Sequence, residues 1–228
     1  MVHFRGGRGA VDKVSYPEMD EFFADLARVY REEVADLADH GCTDLQLDDT
    51  NLAYLCDPKL REGARALGED PDKLPHMYAD LINQSIKSRG DDMTVGIHLC
   101  RGNFQSAWVA EGGYDPVAEV LFNEVNVDCY FLEYDDPRSG DFAPLRFAPE
   151  GKTVVLGLLT TKLPELETKD DIKRRIDEAG KYVPLERLCL SPQCGFSSTH
   201  HGNDITVEDQ LAKLRHVVEI AGEVWGTG

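Results

Sequence analysis

The chain has 228 residues, enough for one large domain with a substantial buried core. It carries 42 acidic residues against 24 basic ones, and its net charge of −18 disfavours binding to nucleic acids and anionic membranes. No apolar run approaches the roughly 18 residues of a membrane-spanning helix, and the first residues contain no apolar signal segment. These features predict a cytoplasmic protein that binds neither nucleic acid nor a membrane.

Strand-like and helical segments alternate along the chain. Apolar residues at helical spacing predict helices, and short apolar runs predict strands. In chain order the predicted elements are helix 19–41, strand 43–49, helix 76–90, strand 93–100, helix 116–125, strand 129–134, strand 153–161, helix 168–182, strand 188–193 and helix 206–226. This order predicts a single domain over residues 1–228, with a parallel α/β sheet and its helices outside.

Chemically reactive residues cluster where the predicted strands end. In chain order they are Asp48, Asp49, His98, Cys100, Glu133 and Cys194. His98 and Cys100 share one face of their strand because side chains alternate along a strand. Parallel α/β folds place their chemistry at the carboxyl ends of the strands, so we expect these residues to form one site.

His98, Cys100, Glu133 and Cys194 together supply one nitrogen, two sulfurs and one oxygen. This set suits Zn²⁺, whereas Mg²⁺ and Ca²⁺ prefer oxygen ligands. A thiol that is coordinated to zinc loses its proton and becomes a positioned nucleophile. The alternative is that the cysteines only pack as small apolar side chains and that His98 is only hydrogen-bonded. The spacing of these residues leaves both interpretations open.

Four ordered segments resemble motifs of the cobalamin-independent methionine synthase family. They are LQLDDTNLAYL (45–55), IHLCRGNF (97–104), YFLEYDD (130–136) and LCLSPQCGF (188–196). The resemblance covers nearly all of the chain and implies the catalytic (β/α)₈ barrel, or TIM barrel, of that family. It assigns zinc to His98, Cys100, Glu133 and Cys194. It also implies that Asp48 faces the amino group of an amino-acid thiol such as homocysteine.

The resemblance implies zinc-dependent transfer of a methyl or other alkyl group to a thiol, with a methyl-folate-like donor and homocysteine as acceptor. The synthase has a proton-delivering histidine near the end of its next-to-last strand, where this chain has Thr160 and Thr161. A relative with another donor or thiol, such as an epoxide:coenzyme M transferase, therefore stays an alternative. A truncated, non-catalytic paralogue is a second alternative. A zinc hydrolase is a third, but two thiolates and a glutamate leave little positive charge to acidify water.

The predicted strands number five, whereas a complete barrel of this type has eight. They correspond to the family's fourth to eighth strands, and residues 1–11 resemble an internal segment of the longer relatives. We therefore expect an incomplete barrel that lacks the first three βα units. Such a chain is either a fragment or is completed by a second copy or a complementing chain.

Overall fold

A computed structural model of the protein describes residues 6–226. Five strands form one parallel sheet in which the spatial order follows the chain order. The strands are β1 (Asp44–Asp49), β2 (Thr94–Leu99), β3 (Cys129–Glu133), β4 (Thr153–Leu159) and β5 (Leu188–Pro192). The predicted parallel α/β class is confirmed, and each predicted strand is present. The first five residues, which belong to the segment expected to match an internal part of longer relatives, lie outside the described residues.

Seven α-helices accompany the sheet in the described part of the chain. They are α1 (Met19–Asp39), α2 (Asn51–Tyr54), α3 (Pro58–Ala66), α4 (Leu74–Ser85), α5 (Asp115–Glu124), α6 (Lys169–Ala179) and α7 (Val207–Trp225). Helix α1 packs against α4, α4 against α5, and α6 against α7. None of these helices is long and apolar enough to cross a membrane.

The hydrophobic core lies between the sheet and the helices. Along β2, Val95, Ile97 and Leu99 are completely buried among apolar residues of this core. Because side chains alternate along a strand, His98 points to the opposite face of the sheet. The apolar face of β2 therefore packs against the helices, and its other face carries His98.

The sheet is an incomplete barrel of the TIM type. Within residues 6–226, β1 pairs only with β2 and β5 only with β4, so both outer strands have an unpaired edge. Asp44, Gln46 and Asp48 are exposed on the face of β1 that carries no helix. In a closed barrel this face is filled by layers of side chains from the other strands.

Helix α4 is shorter than predicted, and the helices α2 and α3 were not predicted. Helix α4 ends at Ser85 and not at residue 90; the Ser85 hydroxyl donates a hydrogen bond to the Leu81 carbonyl. Such back-bonding weakens the helical ladder locally. Helix α3 begins after Asp57, whose side chain caps it by accepting from the Lys59 and Leu60 amides.

Candidate metal centre

The structure brings His98, Cys100, Glu133 and Cys194 together. One potential ligand atom from each lies within 4.8 Å of those from the other three. His98 is the fifth residue of β2, Cys100 follows that strand, Glu133 ends β3 and Cys194 comes two residues after β5. The side chains converge because the carboxyl ends of all these strands meet at one edge of the curved sheet.

The geometry of this cluster fits a tetrahedral zinc ion. The Sγ atoms of Cys100 and Cys194 are 3.8 Å apart. Two sulfurs that each lie about 2.3 Å from one tetrahedral zinc ion are separated by about 3.8 Å. His98 Nε2 is buried without a hydrogen-bond partner among the described residues. A buried nitrogen without a partner is costly, and coordination to a metal ion removes that cost.

The four side chains of the cluster shift one another's pKa values. The hydrogen bond between the two sulfurs lowers the pKa of Cys194 and raises the pKa of Cys100, so one thiolate forms readily. Burial raises the pKa of Glu133 to about 7. Burial also lowers the pKa of His98, but the neighbouring Cys194, Glu133 and Asp48 outweigh it and raise that pKa overall. A bound cation would favour the deprotonated forms of Cys100 and Glu133.

The Glu133 carboxylate is held in place from several sides. The Arg101 backbone amide donates to Glu133 Oε1 at 2.9 Å. The Tyr114 hydroxyl accepts from the Glu133 amide at 2.9 Å and donates to its carbonyl at 3.2 Å. These contacts fix both the end of β3 and the direction of its last side chain.

Arg138 was not singled out by the sequence analysis. Its guanidinium lies 3.4 Å from Glu133 Oε2 and 2.8 Å from Asp135 Oδ1, and it also pairs with Asp136. It stacks over the Trp108 ring at 4.8 Å. The only signal in the sequence is an arginine soon after two aspartates in the turn that follows the glutamate strand. One guanidinium thus bridges Glu133 and the two aspartates of the acidic turn.

Cys194 reaches the cluster because β4 and β5 approach closely at Gly157. A Cβ at that position would lie 2.8 Å from the Gln193 Cα and 2.9 Å from the Leu132 carbonyl oxygen. The register between the two strands also shifts between Gly157 and Leu159. Gln193 is then fixed by a 2.7 Å hydrogen bond from its side-chain amide to the Thr161 hydroxyl.

The two aspartates at the end of β1 have different surroundings. Asp48 is exposed, and its Oδ1 lies 3.9 Å from His98 Nε2 at the edge of the cluster. Asp49 accepts hydrogen bonds from the Leu52 amide at 2.8 Å and from the Asn51 side chain at 3.0 Å. Asp49 therefore fixes the turn into α2, whereas the Asp48 carboxylate is exposed.

Three further polar residues beside the cluster were also missed. Asn103, Lys162 and Ser198 are hydrogen-bonded to one another next to Cys194. They lie on three separate loops, so neither periodicity nor spacing in the sequence relates them.

The fold and the site together define the class of this protein. It has parallel strands of the barrel type, and a cluster of side chains that could hold a metal ion lies at their carboxyl ends. The sequence profile of the family described as "Cobalamin-independent synthase, Catalytic domain" matches residues 7–223. The chain belongs to this family, and the resemblance seen in its four motifs is confirmed.

The relatives include proteins of known and unknown function. The uncharacterized protein YxjH of Bacillus subtilis is 52% identical over 215 residues, which are 94% of this chain and 57% of YxjH. Methionine synthase of Pyrococcus abyssi is 28% identical over 181 residues, which are 79% of this chain and 45% of that enzyme. The chain therefore spans about half the length of these relatives.

Two solved structures share the fold. A Listeria monocytogenes protein provisionally described as a vitamin-B12-independent methionine synthase superposes with a TM-score of 0.70 and 37% identity, over 92% of this chain and 57% of that one. A B12-independent methionine synthase from Shewanella gives a TM-score of 0.69 at 17% identity, over 92% and 56% of the two chains. The second likeness concerns the fold alone.

Proposed function

We propose that this chain carries the zinc site and the thiol-binding site of a methyltransferase that resembles cobalamin-independent methionine synthase. The acceptor is homocysteine or a similar amino-acid thiol, and the donor is methyl-folate or a similar compound. The observation that carries this proposal is the convergence of His98, Cys100, Glu133 and Cys194 within 4.8 Å, in a chain of this family. The domain extends over residues 1–228 as a single partial barrel.

The charge of the ligand set favours thiol chemistry. Two thiolates and a carboxylate carry three negative charges, which exceed the two positive charges of Zn²⁺. Zinc in this site would hold an incoming thiol as a nucleophilic thiolate, while the net negative charge of the metal with its ligands disfavours the activation of water. Arg101 and Arg138 hold the glutamate in a fixed direction, so the site is organised before the substrate arrives.

Asp48 is the residue that we assign to the substrate's amino group. Its carboxylate is 67% exposed, lies on the same edge of the sheet as the cluster and is not used by an ion pair with lysine or arginine in the described residues. A charge-assisted hydrogen bond to an ammonium group is worth about 1.5–3 kcal/mol. This contact would select amino-acid thiols over simple thiols.

A second candidate is the transfer of a different alkyl group to a thiol. Thr161, near the end of β4, is completely buried and accepts a hydrogen bond from Gln193. The Thr160 backbone amide donates to Glu167 at 2.7 Å. The resemblance leads us to expect a proton-delivering histidine in this region, and neither threonine can take its place, so an alkyl donor other than methyl-folate is the second candidate.

The thiol-binding step can be tested without a donor. We would load the chain with Co²⁺ in place of zinc and titrate it with homocysteine. A rise in the sulfur-to-cobalt charge-transfer absorption is expected, whereas homoserine, which differs only by a hydroxyl in place of the thiol, should leave the spectrum unchanged. No response to homocysteine in a cobalt-loaded chain would contradict the proposed function. Parallel assays with methyl-folate and with an epoxide would then separate the two candidates.

A further inference from the structure

A chain of hydrogen bonds leads from a buried lysine to one of the two cysteine sulfurs. Lys162 Nζ donates to Asn103 Oδ1 at 3.0 Å. Asn103 Nδ2 donates to the Ser198 hydroxyl at 2.9 Å and to the Gly195 carbonyl at 2.7 Å. The Ser198 hydroxyl lies 3.6 Å from Cys194 Sγ. These contacts join the loops after β2, β4 and β5.

The chemistry of these groups fixes the direction of each hydrogen bond. A lysine ammonium group has donors and no acceptor, so its partner on Asn103 must be the amide oxygen, which accepts the hydrogen bond. The Asn103 amide nitrogen, which has only donors, then faces Ser198. Since the Ser198 oxygen accepts that hydrogen bond, its own proton is available for the sulfur of Cys194.

We propose that Lys162, Asn103 and Ser198 form a relay that makes Ser198 donate a hydrogen bond to Cys194 and so positions this cysteine as a metal ligand. All three are positioning residues. The inference rests on the proposed zinc site and adds the residues outside the ligand shell that organise it. Such outer partners are known to contribute strongly to metal affinity.

Lys162 and Asn103 are both buried, which indicates that their hydrogen bond is a fixed part of the folded structure. Lys162 is 4% exposed and Asn103 is 7% exposed. Burying a lysine is costly, and within residues 6–226 no carboxylate oxygen lies within 4.0 Å of the Lys162 Nζ to offset this cost as an ion pair. Its Nζ also donates to the Gly102 carbonyl at 3.4 Å, in the same loop as Asn103. Both hydrogen bonds of the Lys162 ammonium group therefore stabilise the loop that follows β2.

The test is the zinc affinity of the 228-residue chain, measured by competition with a chromophoric chelator. Ser198→Ala removes the last donor, and Asn103→Asp replaces the amide donor by a carboxylate that accepts the Ser198 proton. Each should weaken zinc binding about tenfold or more. Ser198→Thr keeps the hydroxyl and should retain the affinity. Ser198 is exposed, so its truncation leaves no buried cavity.

Two further variants separate the relay from a general effect on the loop. Ser197→Ala is the matched control, because the Ser197 hydroxyl donates to the Thr199 carbonyl at 2.9 Å and not to the cysteine. Its zinc affinity should equal that of the unmodified chain. The double variant Ser198→Ala, Asn103→Asp should bind zinc no more weakly than the weaker single variant, because both changes break the same chain of contacts.

The outcomes distinguish the relay from the zinc site itself. Unchanged zinc affinity in Ser198→Ala, or independent losses that add in the double variant, would overturn the relay while leaving the zinc site in place. An unmodified chain that binds no zinc would overturn the proposed function and the relay with it.

Discussion

Cys100 and Cys194 place their sulfur atoms 3.8 Å apart although 94 residues separate them in the sequence. One follows β2 and the other follows β5, and two strands lie between. In a flat sheet, strands three positions apart are separated by about 14 Å. The sheet must therefore curl as it does in a barrel, so the candidate metal centre depends on the curvature that β3 and β4 maintain.

Asp48→Asn should weaken the binding of amino-acid thiols about tenfold or more, because the loss of a charge-assisted hydrogen bond costs about 1.5–3 kcal/mol. Zinc content should not change, since the carboxylate lies outside the four-residue cluster. Calorimetric titration with homocysteine measures the affinity. Asp44→Asn is the matched control, because Asp44 is exposed on the same face at the other end of β1. Equal homocysteine affinity in both variants would contradict the role of Asp48 in binding the amino group of the thiol.

Arg138→Met should lower the free energy of unfolding by about 3–5 kcal/mol, because it leaves buried carboxylates without their partner. Glu133 and Asp135, which contact this arginine, are 0% and 1% exposed. Urea denaturation of the metal-free chain measures the change. Arg174→Met removes an arginine whose ion pairs are exposed on α6, and should cost less than about 1 kcal/mol. Similar losses in both variants would contradict this role of Arg138.

The isolated chain should self-associate or unfold readily, and it should methylate homocysteine poorly or not at all. Strands β1 and β5 each have an unpaired edge, and the face of β1 toward the barrel interior is exposed. Unpaired strand edges favour association with another chain. Light scattering gives the mass in solution, and an assay with methyl-folate and homocysteine gives the activity. A stable monomer that forms methionine rapidly would show that the five-stranded sheet suffices.

The sequence was enough to predict the five strands and the four clustered side chains. Apolar runs such as VVLGLL (154–159) are typical of strands that are buried in a parallel sheet, and the ends of such strands are known in advance to meet. His98 and Cys100 could be placed on one face by simple alternation. Cys194 could be placed because it comes directly after a predicted strand.

The loops around the site could not be predicted in the same way. Arg138, Lys162, Asn103 and Ser198 are polar residues in segments without periodicity, where most such residues contact solvent. Their roles depend on tertiary contacts, such as the 3.0 Å hydrogen bond between Lys162 and Asn103, which are 59 residues apart. The close approach of β5 to Gly157 is likewise a property of the folded sheet.

The zinc content of the purified protein tests the central claim most directly. Elemental analysis should find about one zinc ion per chain, and the double variant Cys100→Ser, Cys194→Ser should have lost it, because it removes both sulfur ligands. A matched double variant, Cys42→Ser, Cys189→Ser, changes two free cysteines outside the cluster and should keep its zinc. Full retention of zinc after the loss of Cys100 and Cys194 would contradict the account and place the metal elsewhere.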